Sequence, residues 1–236
     1  MPKSPSTNST STTATSENYV FFWKPNERDY GWASQWYPSP FTLQIEFPVT
    51  GDSHSSAPES KSKSKSKPEP ELKECTFPTA EHYMMFRKAL LFEDTSIAEL
   101  VLSPSHSGTS QSDLAEIKAL GRQVQNFDED TWKAHRYRIV LDGNLAKFRQ
   151  NPHLKDLLLS TGSRKHVEAS PRDRIWGIGY GHVRAAKMVN GTPPQATEPK
   201  EWGLNLLGKA LDEARKILQE EASSIGGFQF VDHRST

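Results

Sequence analysis

Apolar and polar positions along this chain follow two different periods, and the point where the period changes divides it. From Phe41 to Phe47 the residues Phe-Thr-Leu-Gln-Ile-Glu-Phe alternate at period two, the pattern of a half-buried strand. Glu74-Cys75-Thr76-Phe77 continues the alternation and is predicted to pair with that run in a small antiparallel sheet. After Pro78 the period lengthens. Tyr83, Phe86 and Leu90 form an apolar stripe at helical spacing, with Pro78-Thr79 as the start signal. Ser110 and Asp113 have capping-box spacing for a helix over Asp113 to Leu120, with Gly121 as its stop. A long helix is predicted from Asp128 to Asn151-Pro152, where proline forbids continuation. Phe127 and Trp132 flank its cap with the spacing of a hydrophobic staple. Pro152 to Thr161 reads as a short helix closed by Gly162, and Lys165 to Ala169 as a strand. Leu204, Leu207, Leu211, Ala214 and Leu218 mark an amphipathic closing helix. The expected fold class is therefore mainly α, an α+β arrangement of helices around a small antiparallel β-sheet.

Composition sets the boundaries. Residues 1–17 are Ser/Thr-rich, and residues 50–71 carry Ser-Lys alternation between Pro-containing flanks. Neither stretch holds enough apolar surface to offset the entropy of ordering, so both are expected to be disordered. The domain is placed at 18–222 with the 50–71 stretch as an insertion, and 223–236 as a C-terminal tail. An aromatic-rich piece, Tyr19 to Trp23 and Tyr30 to Tyr37, precedes the first strand. The 29 basic and 29 acidic side chains cancel, which removes any general attraction to nucleic acid or an anionic membrane. Cys75 is the only cysteine, which excludes an internal disulfide framework and a Cys-based zinc site. No apolar run approaches the roughly 20 residues that span a bilayer, and residues 1–17 lack the apolar core of a signal peptide. A soluble cytoplasmic or nuclear protein is expected.

Two carboxylates stand out. Glu81 falls in the first turn of its helix if Thr79 is the cap, where the helix dipole favours the ionised form. Such a group serves as a general base or stabilises a cation; a first-turn glutamate also serves simply to stabilise the helix. Asp173 lies in a turn three residues before Trp176, followed by Gly177, Gly179 and Gly181. It reads either as a turn aspartate bonding nearby N–H groups or as a carboxylate at a pocket whose wall is Trp176. The glycines let backbone approach a ligand, yet they form no dinucleotide-binding fingerprint. Trp132 is a staple residue or a stacking platform for a flat base. Arg122 and Lys88 are surface charges or phosphate contacts. His82 has no second histidine at ligand spacing, so no metal site is expected.

In their order and spacing these pieces resemble the NADAR family, the YbiA-like N-glycosidases. The pieces are Pro78-Thr79-Ala80-Glu81-His82-Tyr83 with Lys88, then Gly121-Arg122 followed by Trp132. Glu168 with Asp173, Trp176-Gly177 and Gly179 follow, and then Asn205-Leu206-Leu207-Gly208. The match spans about Tyr19 to Glu220 without the Ser-Lys insertion. The resemblance implies hydrolysis of a ribosyl C–N bond without metal or redox cofactor. Its substrates would be phosphorylated ribosylaminopyrimidine intermediates of riboflavin synthesis or ADP-ribosylated nucleobases, including those in nucleic acid. By motif position Glu81, Trp132 and Asp173 would be catalytic, with Glu81 activating water. Lys88, Arg122, Trp176, Gly177, Gly179, Asn205 and Gln35 would bind substrate or support the pocket. Where many bacterial relatives have Ser-Asn-Phe, this chain has Ser34-Gln35-Trp36, which keeps the amide on a longer arm. The Val183 to Glu201 segment, with Pro193-Pro194, is longer than in compact relatives. The other reading is a non-catalytic module that binds ADP-ribose or a related nucleotide. No heptad or apolar stripe marks an oligomer interface.

Overall fold

The computed structural model describes residues 16–47, 71–190 and 198–226. The N-terminal tail through residue 15, nearly all of the Ser-Lys insertion, Pro193-Pro194 and residues 227–236 lie outside the described residues. Helices dominate: α1 (Ala80–Leu91), α2 (Thr95–Leu102), α3 (Gln111–Gln123), α4 (Glu129–Gln150), α5 (Pro152–Ser160), α6 (His182–Val189) and α7 (Leu206–Gly226). Four strands, β1 (Tyr19–Phe22), β2 (Phe41–Phe47), β3 (Glu71–Phe77) and β4 (Lys165–Glu168), form two separate pairs. This is the expected α+β class with helices predominating.

The period-two segments pair as their pattern requires. β2 and β3 run antiparallel with Phe41 opposite Phe77 and Leu43 opposite Cys75. Phe41, Ile45, Phe47, Cys75 and Phe77 turn inward, against Tyr83 and Phe86 of α1. The second pair was not anticipated: β1 lies parallel to β4, with Val20 opposite His166 and Phe22 opposite Glu168. Paired residues lie 146 positions apart along the chain, and four-residue strands leave little periodicity to read. Phe21 and Val167 from this pair pack with Ile178, Ala185, Val189 and Trp202 in a second, smaller core.

The helix starts follow their capping chemistry. Thr79 accepts from the His82 N–H, and Asp128 accepts from the Thr131 N–H. The Ser110 and Asp113 pair makes both bonds of a capping box. Three expectations are corrected. Gly121 does not stop α3, which continues to Gln123; a Cβ there would sit on the Met85 sulfur, so the glycine lets α3 settle onto α1. Leu204 is exposed and precedes α7. Lys88 lies over both staple residues, its ammonium 4.2 Å from the Phe127 ring centroid and 5.6 Å from that of Trp132. α7 also extends into the expected tail, to Gly226. α2 and α6 were missed, each being only eight residues long.

The main core lies among α1, α4, α7 and the β2–β3 pair. α1 meets α4 at Gly143, where a Cβ would stand 2.6 Å from the buried Tyr83 ring. In an ordinary helix interior Gly→Ala stabilises by about 1 kcal/mol. At this crossing the added methyl overpacks a rigid ring, so Gly143→Ala is expected to destabilise by roughly 1–3 kcal/mol. Urea unfolding at equilibrium measures it, and a midpoint above wild type would contradict the packing described.

Candidate active site

α1 begins at the floor of the site. The cap at Thr79 places Glu81 in the first turn, where its backbone N–H donates to the Gln35 carbonyl at 3.1 Å. The side chain is buried, takes a hydrogen bond from the Trp36 side chain, and leaves Oε1 without a partner. Burial raises the Glu81 pKa to about 7, and Asp173 pushes the same way; Lys118, the Trp36 bond and Arg122 oppose it. The expectation that the helix start keeps Glu81 ionised is therefore corrected. A terminal dipole contributes about a kcal/mol at an exposed site, less than enclosing a carboxylate in a medium that solvates it poorly.

β4 supplies the second carboxylate, Glu168, which in the sequence stands only as part of a motif. Glu168 ends the strand, its Oε2 enclosed and unpartnered. Burial raises its pKa to about 8, with the charges of Asp173 and Glu81 adding to the rise and Lys118 opposing it. Asn205 fixes this end of β4: its Oδ1 accepts from the Glu168 N–H at 3.0 Å and its Nδ2 donates to the His166 carbonyl at 2.9 Å. Asn205 holds this posture at a left-handed φ of 50°, which asparagine tolerates better than most residues. Both ends of its amide thus serve the strand that carries Glu168.

Asp173 adopts the turn geometry. Its Oδ1 accepts from the N–H groups of Ile175 and Trp176, each at 2.8 Å, while its charge acts on both glutamates. The loop that follows is pinned. Ile178 N–H donates to the Glu168 carbonyl at 3.0 Å, and a Cβ at Gly177 would lie 2.7 Å from that same oxygen. Gly177 is therefore required by protein packing. Gly179 has φ 76°, with Arg174 against the position a Cβ would take. Trp176 is half-buried and packs against the main core. Among the described residues no group of three or more His, Cys, Asp or Glu is arranged to hold a metal ion. His82 has both ring nitrogens engaged, with the Thr79 hydroxyl and the His106 carbonyl.

The cations come from α3 and α1. Lys118 and Arg122 are one turn apart on α3, and both act on Glu81. Lys118 was missed; its place four residues before Arg122, on the same helix face, was the available signal. Lys88 lies two turns beyond Glu81 on α1, about 10 Å along the axis, with its ammonium donating to the Gly121 carbonyl at 2.6 Å. Burial lowers its pKa, Glu129 opposes the fall and Arg122 adds to it. Arg122 thus acts at both ends of one face: on Glu81 at the helix start and on Lys88 two turns on, where the Lys88 ammonium lies over the buried Trp132. Gln35 meets the site through its main-chain oxygen, since its side-chain oxygen accepts from Asn144 at 3.0 Å.

Raised carboxyl pKa values couple to stability. A group whose pKa rises on folding holds more protons in the folded state, so its stabilisation is full below the unfolded value and is lost as pH climbs through the folded one. Glu81 should destabilise the protein progressively from about pH 4.5 to 7, and Glu168 from about 4.5 to 8. The fully buried Lys147, its pKa lowered to about 7, runs oppositely at higher pH. The difference between wild type and Glu81→Gln isolates the first effect. Relative to wild type, the variant is expected to gain a few kcal/mol between pH 5 and 8, read by urea unfolding at each pH; a pH-independent difference would contradict the burial described.

Residues 21–219 match the family model of the NADAR domain. The chain is 35% identical over 206 residues to N-glycosidase R617 of Acanthamoeba polyphaga mimivirus, covering 86% of this chain and 98% of that protein. It is 26% identical over 217 residues to riboflavin biosynthesis protein VVA0006 of Vibrio vulnificus (strain YJ016), covering 92% of this chain and 42% of that protein. The fold is similar to the NMR structure of Escherichia coli YbiA, with a TM-score of 0.53 and 21% identity over 95% of this chain and 94% of that one. No helix among the described residues is long and apolar enough to cross a membrane.

Proposed function

The chain belongs to the NADAR family, and on that footing we propose that it is an N-glycosidase hydrolysing the ribosyl C–N bond of a phosphorylated riboside with a flat leaving base. The two substrate types within this chemistry are ribosylaminopyrimidine phosphates and ADP-ribosylated nucleobases. Both offer a ribose, a phosphate and a planar leaving group. The relatives named N-glycosidase and riboflavin biosynthesis protein support the reaction class and the first type.

The observation that carries the proposal is the pair of glutamates, each with an enclosed and unpartnered carboxyl oxygen, whose pKa values are raised to about 7 for Glu81 and about 8 for Glu168. Two coupled carboxyls in that range share roughly one proton near neutral pH, the state that a paired acid and base require. Cleaving a ribosyl C–N bond builds positive charge at the anomeric carbon. Glu168, the weaker acid, holds the proton and passes it to the departing nitrogen. Glu81, ionised first, faces the developing cation and takes a proton from the water that attacks the anomeric carbon. The products are the free base and the ribosyl hydroxyl compound, with the proton now on Glu81; return through solvent resets the pair. Asp173 has a positioning role, with its charge keeping the glutamates' shared proton in place. Lys88, two turns from Glu81 on α1, suits a phosphate held away from the scissile bond, and Trp132 and Trp176 suit a flat base.

The test is mass analysis of products from wild type, Glu81→Gln and Glu168→Gln incubated with ribosylaminopyrimidine phosphates and with a guanine-ADP-ribosylated oligonucleotide. Wild type is expected to release base or ADP-ribose from one of them, with a bell-shaped rate profile centred between pH 7 and 8. Each Gln variant is expected to lose at least about a hundredfold in kcat. Tight ADP-ribose binding without turnover of either substrate would overturn the enzyme reading in favour of a binding module. Full turnover by Glu168→Gln would overturn the assignment of the acid.

A further inference from the structure

Lys147 is the one lysine among the described residues whose side chain is completely enclosed, and it has no carboxylate beside it. It sits in the middle of the main core on α4, three residues after the buried Asn144. Its ammonium donates to the carbonyls of Trp32, at 2.7 Å, and Ser34, at 3.1 Å. The rings of Phe148 and Tyr37 lie 5.2 and 5.7 Å from the same nitrogen. Asn144 reaches the next residue of that loop, donating to the Gln35 side-chain oxygen. A bare ammonium in an apolar interior is costly, and Met or Leu would fill the volume without that cost. What Lys147 supplies and they cannot is a pair of charge-assisted bonds to two carbonyls of a short irregular segment.

That segment leads directly to the catalytic carboxyl. One residue beyond Ser34, the Gln35 carbonyl receives the Glu81 N–H, and one residue further the Trp36 side chain bonds the Glu81 carboxyl. The far side of the segment is closed by Ser39 N–H on the Pro78 carbonyl, next to the α1 cap. A chain of hydrogen bonds therefore runs from the centre of α4 through residues 32–36 to Glu81. We propose that Lys147 is a positioning residue of the hydrolase: through the Trp32 and Ser34 carbonyls it sets the segment whose Gln35 carbonyl receives the Glu81 N–H and whose Trp36 side chain borders the Glu81 carboxyl. It touches no reacting atom and acts through Trp36.

The Glu81 carboxyl is faced by Lys118 and Arg122 from α3, Glu168 from β4 and Asp173 from the following loop, as well as by Trp36. Lys147 contributes no direct charge to it, and only desolvation moves the titration of Lys147 itself. Removing the lysine should therefore disturb Glu81 only by moving the Trp36 donor. Since that bond holds the Glu81 pKa down, its loss raises it.

The experiment is a carbon-13 NMR titration of the glutamate carboxyls in the full chain, for wild type, Lys147→Met, Trp36→Phe and the double variant. Lys147→Met is expected to move the Glu81 midpoint upward by at least ~0.5 unit, as Trp36→Phe does, and the double variant to add little to Trp36→Phe alone. The kinetic arm rests on the N-glycosidase reading: kcat near pH 7 falls between about tenfold and a hundredfold with KM little changed, and the acid limb of the rate profile moves to higher pH. An unmoved Glu81 midpoint overturns the proposal, whatever happens to the rate. A moved midpoint in a protein whose wild type hydrolyses neither substrate leaves the positioning role standing and sinks the N-glycosidase reading. Should Lys147→Met fail to fold, Asn144→Ala cuts the other tie to the same segment. It must then raise the Glu81 midpoint in the same direction by a smaller amount, and an unchanged value overturns the proposal.

Discussion

Enclosing carboxyl oxygens of two glutamates, with a third carboxylate nearby, is the constraint on which the rest of this structure turns. Glu81 and Glu168 each have an enclosed oxygen without a protein partner; Asp173 acts on both as a like charge, and Glu81 also acts on Glu168. Full ionisation of such a group is unfavourable, so the proton stays at pH values where an exposed glutamate has lost it. Lys118 tempers the effect on both glutamates. A closer ion pair would have turned the same residues into a structural salt bridge with low pKa values and no proton to give.

Much of the scaffold is explained by the need to hold that unfavourable arrangement still. Asn205 grips the end of β4 on either side of Glu168, and Gly177 lets the Asp173 loop lie against the Glu168 carbonyl. Gly121 lets α3 approach Met85, which brings Lys118 and Arg122 within electrostatic reach of α1. Lys147 and Asn144 secure the segment from which Trp36 bonds Glu81. Each of these residues bonds or packs against protein. Apart from the Asn144 Oδ1, their buried polar groups are satisfied, in contrast to the enclosed and unpartnered carboxyl oxygens of Glu81 and Glu168 that they support.

What the sequence disclosed follows from what local rules can encode. The caps at Thr79, Ser110 and Asp128 were readable because their partners lie three residues away. The β2–β3 pairing was readable from alternation on both sides of the insertion. The β1–β4 pair was not, because nothing local in Tyr19–Phe22 points to Lys165–Glu168. The same limit governed the site. Glu81 and Asp173 were found through motif positions, while Glu168 was noticed but given no role, since its burial and its proximity to Glu81 are properties of the fold. Gly121 was misread as a stop because its use, close packing against Met85, involves a residue 36 positions earlier on another helix. The ionisation of Glu81 was misjudged for a related reason: a helix start can be seen in sequence, but the enclosure that outweighs it cannot.

The most direct measurement of the central claim is infrared difference spectroscopy across pH 5 to 9 on wild type, Glu81→Gln and Glu168→Gln, following the carbonyl band of a protonated carboxylic acid. The account predicts a band that persists in wild type at pH 7, disappears by pH 9, and at pH 7 is lost or strongly weakened in Glu168→Gln. Carboxyl groups that are all ionised by pH 6 in wild type would contradict it.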